Sequence, residues 1–394
     1  MSKWPTTSLK GHIVEVSIRK GETPAEVLSV TNTVGFVRSL DVFDKQVFSQ
    51  DASNYKLVRF NDLAYNPSRI NVGSVARCQF PEGGAVSPMY VVVRCNESLL
   101  PQFLLYFLKS SIGQQNIARR CVGAVRFMLR FGDLERIELP LPPLAEQERM
   151  VRIVDEVEEL CRLRGKADER TSRIVSALLD DMFGDPATNP KDWRITPLKE
   201  VLHEFRYGTS NKSESNGFPT LRIPNVVRDQ LDLTDVTNVP VGDDEFRRLQ
   251  LRDGDLLFVR SNGSPELIGR SAVYDSADVK EFGLDPNRFI YASYLIRGRP
   301  KAELVDAVYL QTYLRTSHAR AAVRSQARTS AGQYNINTTG LGAVPVPLPP
   351  LGLQHEFAAS VGEVRELKAA QGASRQRLDD VFQSLLHRAF QGDL

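Results

Sequence analysis

A stretch near the middle of the chain returns near its end. Shifting the sequence by 207 positions lays Pro140-Leu141-Pro142-Pro143-Leu144 on Pro347-Leu348-Pro349-Pro350-Leu351. The same gapless shift matches Gln147 to Gln354, Val154 to Val361, Glu156-Val157 to Glu363-Val364 and Glu159-Leu160 to Glu366-Leu367. It also matches Gly165 to Gly372, Arg170 to Arg377, Leu178-Leu179 to Leu385-Leu386 and Phe183 to Phe390. A repeat at this spacing limits the architecture before any single residue is interpreted.

Each copy opens on prolines, which suit a helix entrance and exclude a helix interior. A long proline-free stretch follows. Its apolar positions fall at spacings of three and four: Met150, Ile153, Val154, Val157, Leu160, Cys161, Ile174, Leu178, Met182 and Phe183, then Phe357, Val361, Val364, Leu367, Leu378, Val381, Leu385 and Phe390. This spacing predicts two amphipathic helices, each about 58 Å long. Gly184 and Pro186 stop the first. Both stripes thin at Arg164–Thr171 and Gln371–Arg377. A long helix with one apolar stripe needs a partner, and the cheapest partner is the other copy. The competing reading is two separate surface helices, each on its own domain.

The 394 residues exceed what one core accommodates and suit two or three domains. A hydrophobic content of 42% with 25% charged residues is ordinary for a globular chain. The opening Met-Ser-Lys-Trp is not a signal peptide, and no apolar run reaches membrane-spanning length. The four cysteines, at 78, 95, 121 and 161, lack zinc-ligand spacing and read as reduced thiols of a cytoplasmic protein. The net charge of +2 is uneven: +5 over 1–140, −4 over 141–187, +2 over 188–345 and −1 over 346–394. Basic segments with acidic helices fit domains that touch phosphate and helices that touch protein, although many ordinary domains carry as much charge.

The segments before the two helices also resemble one another. Trp4-x4-Leu9-Lys10 matches Trp193-x4-Leu198-Lys199, and Leu28-x3-Asn32 matches Leu221-x3-Asn225. Asp62-Leu63, Tyr65 and Ser68 match Asp255-Leu256, Phe258 and Ser261; Phe107-Leu108-Lys109-x-Ser111 matches Tyr313-Leu314-Arg315-x-Ser317. The offset drifts upward to 207, as a shared fold with loop insertions requires. The expected order is a first globular domain over 1–138, a first helical spacer over 139–187, a second domain over 188–345 and a second spacer over 346–394. The fold class is α+β: two similar α+β globules and two long helices. Tyr90–Val93 and Ala292–Ile296 read as strands, and Pro101–Ile117 and Val305–Val323 as helices.

Polar loops fall at corresponding places in the two globules. In the second they carry Tyr207, Thr209, Ser210, Asn211 and Lys212; Arg260, Ser261 and Asn262; and Gln333, Asn335 and Asn337. In the first they carry Asn66, Ser68, Arg69 and Asn71, and then Arg126 and Arg130. Arg, Asn and Gln can make paired hydrogen bonds to base edges, while Ser, Thr and Lys suit phosphate. Plain turns, with Gly and Asn present for backbone reasons, remain the alternative.

Pro-Leu-Pro-Pro-Leu-x2-Gln opening a long helix, twice, with a diverged domain before each copy, resembles the specificity subunit of type I restriction–modification systems. So do Gly208-Thr209-Ser210, Leu178-Leu179-x2-Met182-Phe183-Gly184-Asp185 and the final Ala389-Phe390-Gln391-Gly392-Asp393-Leu394. Gly352-Leu353 departs from the motif, since the first copy has Ala145-Glu146 there. The resemblance implies that each globule is a target-recognition domain reading one half of a bipartite, asymmetric site in double-stranded DNA. It implies that the two helices pack as an antiparallel coiled coil with internal pseudo-two-fold symmetry, set the spacing and dock methyltransferase (modification) subunits; the repeat suggests two of these, with two restriction (translocase/nuclease) subunits where present. The chain itself would need no cofactor; S-adenosylmethionine, ATP and Mg²⁺ would belong to the partner subunits.

The residues supply no catalytic constellation against this expectation. Asn66-Pro67-Ser68-Arg69 lacks the second proline and the aromatic ring of an amino-methyltransferase motif and reads as a turn. A phosphate-binding glycine loop is missing from the sequence, and the five histidines lack ligand spacing. Asp180-Asp181 and Glu158-Glu159 read as solvated helix pairs, and Asp243-Asp244-Glu245 as a charged loop. Two other classes stay open at this point: an interaction scaffold that binds no nucleic acid, and a self-contained nuclease or methyltransferase.

Overall fold

The computed structural model describes residues 4–32, 34–42, 51–121, 128–228, 230–330 and 332–392. The chain divides into two compact units, Met1–Lys166 with Gln371–Leu394, and Ala167–Ala370. Two continuous helices, Leu144–Phe183 of 40 residues and Leu351–Gln391 of 41, each contribute one half to each unit. The division falls where both apolar stripes thin in the sequence.

The first unit is built on a four-stranded antiparallel sheet in the order Ile13–Glu15, Val91–Cys95, Leu63–Tyr65, Val75–Arg77. The second repeats that order and sense with Leu202–Tyr207, Leu295–Pro300, Leu256–Val259 and Ser271–Val273. In each unit a short strand near the start of the globule pairs with the proline-rich entrance of a long helix: Thr7 lies opposite Leu139, and Thr196 opposite Val346.

Each long-helix entrance is locked by the glutamine of the repeat, a fully buried side chain at both Gln147 and Gln354. Oε1 of Gln147 accepts from the Leu100 amide at 2.9 Å, and Nε2 donates to Ser98 O at 3.0 Å and Pro142 O at 2.9 Å. Gln354 does the same with the Asp306 amide at 2.9 Å, Leu304 O at 3.3 Å and Pro349 O at 2.8 Å. A buried amide satisfied at both ends fixes one geometry, since any shift strands polar groups away from water.

Halves of the two helices run antiparallel inside each unit. In the first unit Met150 and Val154 share a core with Leu386 and Phe390, while Arg164 Nη2 donates to Ser374 Oγ at 2.8 Å. Phe390 packs on Phe103 with ring centres 5.1 Å apart and on Phe107 at 5.3 Å. In the second unit the matching Phe183 packs on Tyr309 at 4.7 Å and on Phe357 at 5.3 Å. His387 Nδ1 meets Ser111 Oγ at 3.2 Å. The separate-surface-helix alternative fails, because each helix half contributes buried side chains beside the other.

Several local expectations need correction. The helix expected over Pro101–Ile117 is two helices, Pro101–Lys109 and Ser111–Arg120, and that over Val305–Val323 is Ala307–Leu314 and Ser317–Gln326. Ser110 and Thr316 break them in the same way: each is extended, donates its hydroxyl back to Phe107 O or Tyr313 O, and accepts from the amide of Gly113 or Ala319. Such a residue competes with the helix and then caps the next one. The strand expected over Ala292–Ile296 lies at Leu295–Pro300. Asp243-Asp244-Glu245 opens the helix Asp243–Leu249 instead of a loop, its charges at the favourable helix end and Asp244 paired with Arg247 at 2.6 Å. Glu158 is not merely solvated, since it meets the Tyr106 hydroxyl at 2.8 Å. All four cysteines are unpaired; burial raises each thiol, that of Cys95 to about 12, so they stay protonated. Among the described residues no helix is long and apolar enough to cross a membrane.

Candidate nucleic-acid interface

Each four-stranded sheet carries one buried carboxylate at the start of its third strand. Asp62 accepts from Arg94 Nε at 2.7 Å and Nη2 at 2.8 Å, and from the Arg59 amide at 2.8 Å. Asp255 accepts from Arg299 Nε at 2.7 Å and Nη2 at 2.8 Å, and from the Arg252 amide at 2.8 Å. Bonding to these carboxylates raises the pKa of both guanidiniums above the ordinary arginine value. The paired side chains fix the strand that delivers the loops considered next.

In the first unit that loop is 66–74. The Asn66 amide donates to Ser74 O at 3.1 Å, Asn66 Oδ1 accepts from the Ser68 amide at 3.0 Å, and Arg69 N donates to Asn66 O at 3.0 Å. This is the turn the sequence indicates. The buried Ile70 anchors it, leaving Ser68, Arg69 and Asn71 exposed and Asn66 half-buried. The Leu129 amide donates to Pro67 O at 3.1 Å, so the exposed Arg130, at the start of the helix Phe131–Leu134, lies beside the same loop. Arg126 lies outside the described residues.

In the second unit three predicted loops meet. The Ile336 amide donates to Arg260 O at 2.9 Å, the counterpart of Leu129 to Pro67. Ser261 and Asn262 pair with Asn335 and Tyr334, and Gln333–Asn335 pairs with Arg328–Ser330 as a hairpin. The Thr209 amide donates to Tyr291 O at 2.9 Å, and the Ser293 amide to Thr209 O at 2.7 Å. The Arg260 guanidinium stacks 4.6 Å from the centre of the Tyr207 ring and donates to Ser293 O at 3.3 Å, while the Tyr207 hydroxyl accepts from the Thr338 amide at 3.2 Å. Stacking and hydrogen bonding hold the arginine fork in place before any ligand arrives.

Ser210, Asn211, Lys212, Gln333 and Asn337 are exposed, while Asn262 and Asn335 are half-buried. Asn337 also caps the helix Thr338–Gly342 by accepting from Gly340 N at 2.7 Å. Thr209 and Ser261 are 3% and 9% exposed, and Thr209 Oγ1 accepts from the Asn211 amide at 3.2 Å, so these two shape the loops from inside. Sequence reasoning passed over Tyr294, 60% exposed next to Ser293, and the exposed Arg328 of the hairpin. Tyr294 was hidden by its assignment to a strand; Arg328 lies four residues before Gly332 and was legible only once the hairpin was seen.

Comparison with known proteins follows the same lines. The family model for the type I restriction modification DNA specificity domain matches residues 63–168. The EcoKI type I restriction enzyme specificity subunit of Escherichia coli K12 is 26% identical over 346 residues, 83% of this chain and 73% of that protein. The StySPI specificity subunit of Salmonella potsdam is 23% identical over 345 residues, with the same coverage of 83% and 73%. Among solved structures, one concerned with complex assembly and conformational transition of the type I R-M system covers 99% of this chain and 98% of that one at 20% identity, with a TM-score of 0.62. The type I restriction–modification S subunit of M. genitalium covers 99% and 96% at 14% identity, with a TM-score of 0.55. Both structures share the fold. The chain is thus similar over 83% of its length to type I restriction enzyme specificity subunits, and its residues 63–168 match the type I restriction modification DNA specificity domain.

Proposed function

We propose that this chain is the DNA-specificity subunit of a type I restriction–modification complex, in which the globules over 1–138 and 188–345 each read one half of a split, asymmetric site. The observation that carries this reading is the pairing of a repeated frame with unrepeated loops. The same buried contacts hold the same strand in both units, yet around a shared serine, Ser68 or Ser261, that strand delivers Pro67 and Arg69 in one and Arg260 and Asn262 in the other. Unlike side chains at like positions read unlike base sequences. Exposed Arg69, Asn71, Arg130, Lys212, Gln333 and Asn337, with the stacked Arg260, are the proposed contacts; Thr209 and Ser261 position them.

The two long helices pass from one unit into the other without a break, so they set the gap between half-sites as dimer spacing does in other readers. Their exposed acidic faces would dock two methyltransferase subunits, with two restriction subunits where present. Recognition is this chain's task; methyl transfer, with S-adenosylmethionine, and ATP- and Mg²⁺-dependent translocation and cleavage belong to those partners.

The test is binding of the chain to duplex DNA carrying its site, with and without the methyltransferase subunit, across a salt series. A site-specific complex that assembles with two methyltransferases and weakens as salt rises is the expected outcome. Assembly indifferent to DNA, even at low salt, would refute it in favour of a protein scaffold.

A further inference from the structure

The two units differ at one packed position that the duplication makes directly comparable. In the first unit the helix Pro101–Lys109 places Tyr106 against the long helices. The ring is buried, and its hydroxyl meets Asp155 at 2.5 Å and Glu158 at 2.8 Å. Phe382 packs beside the same core. The offsets that align the aromatic pairs, 206 for this helix and 207 for the long ones, place Thr312 where Tyr106 stands, Val175 where Phe382 stands, Arg365 where Glu158 stands and Gly362 where Asp155 stands.

The substitutions remove two rings and reverse a charge. Thr312 Oγ1 turns back to Val308 O at 2.8 Å and fills none of the space. What remains is a cavity of about 490 Å³ within the second unit, with Val175, Leu179, Val361 and Val364 among its walls and Arg315, Arg365 and Lys368 at its rim. Gln311, buried where the first unit has Leu105, accepts from Arg365 Nη2 at 3.4 Å and so aims that guanidinium. Asp278 is an acidic group that senses Arg365 from outside the cavity lining. Protein interiors are normally close-packed, and a cavity of this size lies within the range of small-molecule sites.

We infer that this cavity binds a small ring-bearing anion: the ring takes the place that Tyr106 and Phe382 fill in the other unit, and the charge meets Arg365 and Lys368. A planar ring recovers the dispersion contacts that the missing side chains would make. A guanidinium and an ammonium at the rim select an anion where the first unit, with Asp155 and Glu158, accepts a hydroxyl. This site is separate from the proposed DNA contacts and goes beyond them.

Phenyl phosphate is a suitable probe, titrated by calorimetry into the full chain, with phenol and inorganic phosphate as the ring without charge and the charge without ring. One saturable site per chain is expected for phenyl phosphate, with phenol and inorganic phosphate each weaker by about tenfold or more. Arg365→Glu should weaken phenyl phosphate by about tenfold or more. Val175→Phe with Thr312→Tyr, which copies the first unit's own side chains, should abolish binding; its thermal unfolding reports whether it folds, and Arg365→Glu tests the rim independently. Absence of saturation, equal binding of phenol and phenyl phosphate, or full binding by the filled variant would overturn the inference.

Discussion

The two units share a frame and differ in what the frame carries. Asp62 with Arg94 and Asp255 with Arg299 occupy one position, as do Gln147 and Gln354, and Phe390 and Phe183. These residues hold strand to strand and globule to helix, and their geometry agrees to within a few tenths of an ångström in most contacts. Away from them the units diverge. Val92 in the first corresponds to Arg297 in the second, a side chain 1% exposed that donates to Gln250 O at 2.9 Å and pairs with Glu204. Tyr106 corresponds to Thr312, and the loop of Asn66 to that of Arg260. Residues that fix backbone positions tolerate little change, because a buried polar pair or an aromatic knob fits one geometry; the residues delivered by that backbone are free to vary.

The sharpest way to break the comparison is at the aromatic knobs. Phe183→Ala and Phe390→Ala should each cost about 3–5 kcal/mol in denaturant unfolding, since each removes a buried ring from an aromatic cluster. Similar losses support equivalence; one silent variant would show that the knobs differ in role. Next come the carboxylates. Asp255→Ala should cost about 3 kcal/mol, because it strands a guanidinium in a poorly solvated site. Asp62→Ala should cost less, because the Arg94 side chain is 35% exposed against 20% for Arg299. A reversed order would contradict the role assigned to burial.

The smallest effect distinguishes the units by pH. Burial opposes ionisation of Glu204, but Arg206 and Arg297 outweigh it and hold the carboxyl below the usual glutamate range. A depressed folded-state pKa contributes stability above the unfolded value and loses it as pH falls through the folded one. The second unit should therefore weaken in acid through Glu204, and Glu204→Gln should flatten that part of the unfolding-versus-pH curve. In the first unit Glu15, 189 positions earlier in the sequence, pairs with Lys56 at 3.5 Å. An unchanged acid profile in Glu204→Gln would remove the group from the account.

The long helices were the most legible part of the sequence. Their apolar periodicity runs for about ten turns, and the thinning at Arg164–Thr171 and Gln371–Arg377 coincides with the division between units. The loops were legible as places, through Arg260 and Gln333–Asn337, but not as a surface, since stacking of Arg260 on Tyr207 joins residues far apart in the chain. The broken helices at Ser110 and Thr316 were missed because apolar periodicity continues across a residue whose hydroxyl caps instead of propagates. The buried Arg297 could not be foreseen, because its acceptors are the backbone carbonyls of Arg248 and Gln250 and the carboxylate of Glu204.

The central claim is that a repeated frame presents two unlike readers. The most direct test is methylation-sensitive sequencing of a host carrying this gene with its neighbours, first as found and then with Arg260→Ala and Gln333→Ala together. A split motif is predicted, whose bases relax in one half while the other half and the gap stay unchanged. A single contiguous motif, or relaxation in both halves at once, would contradict it.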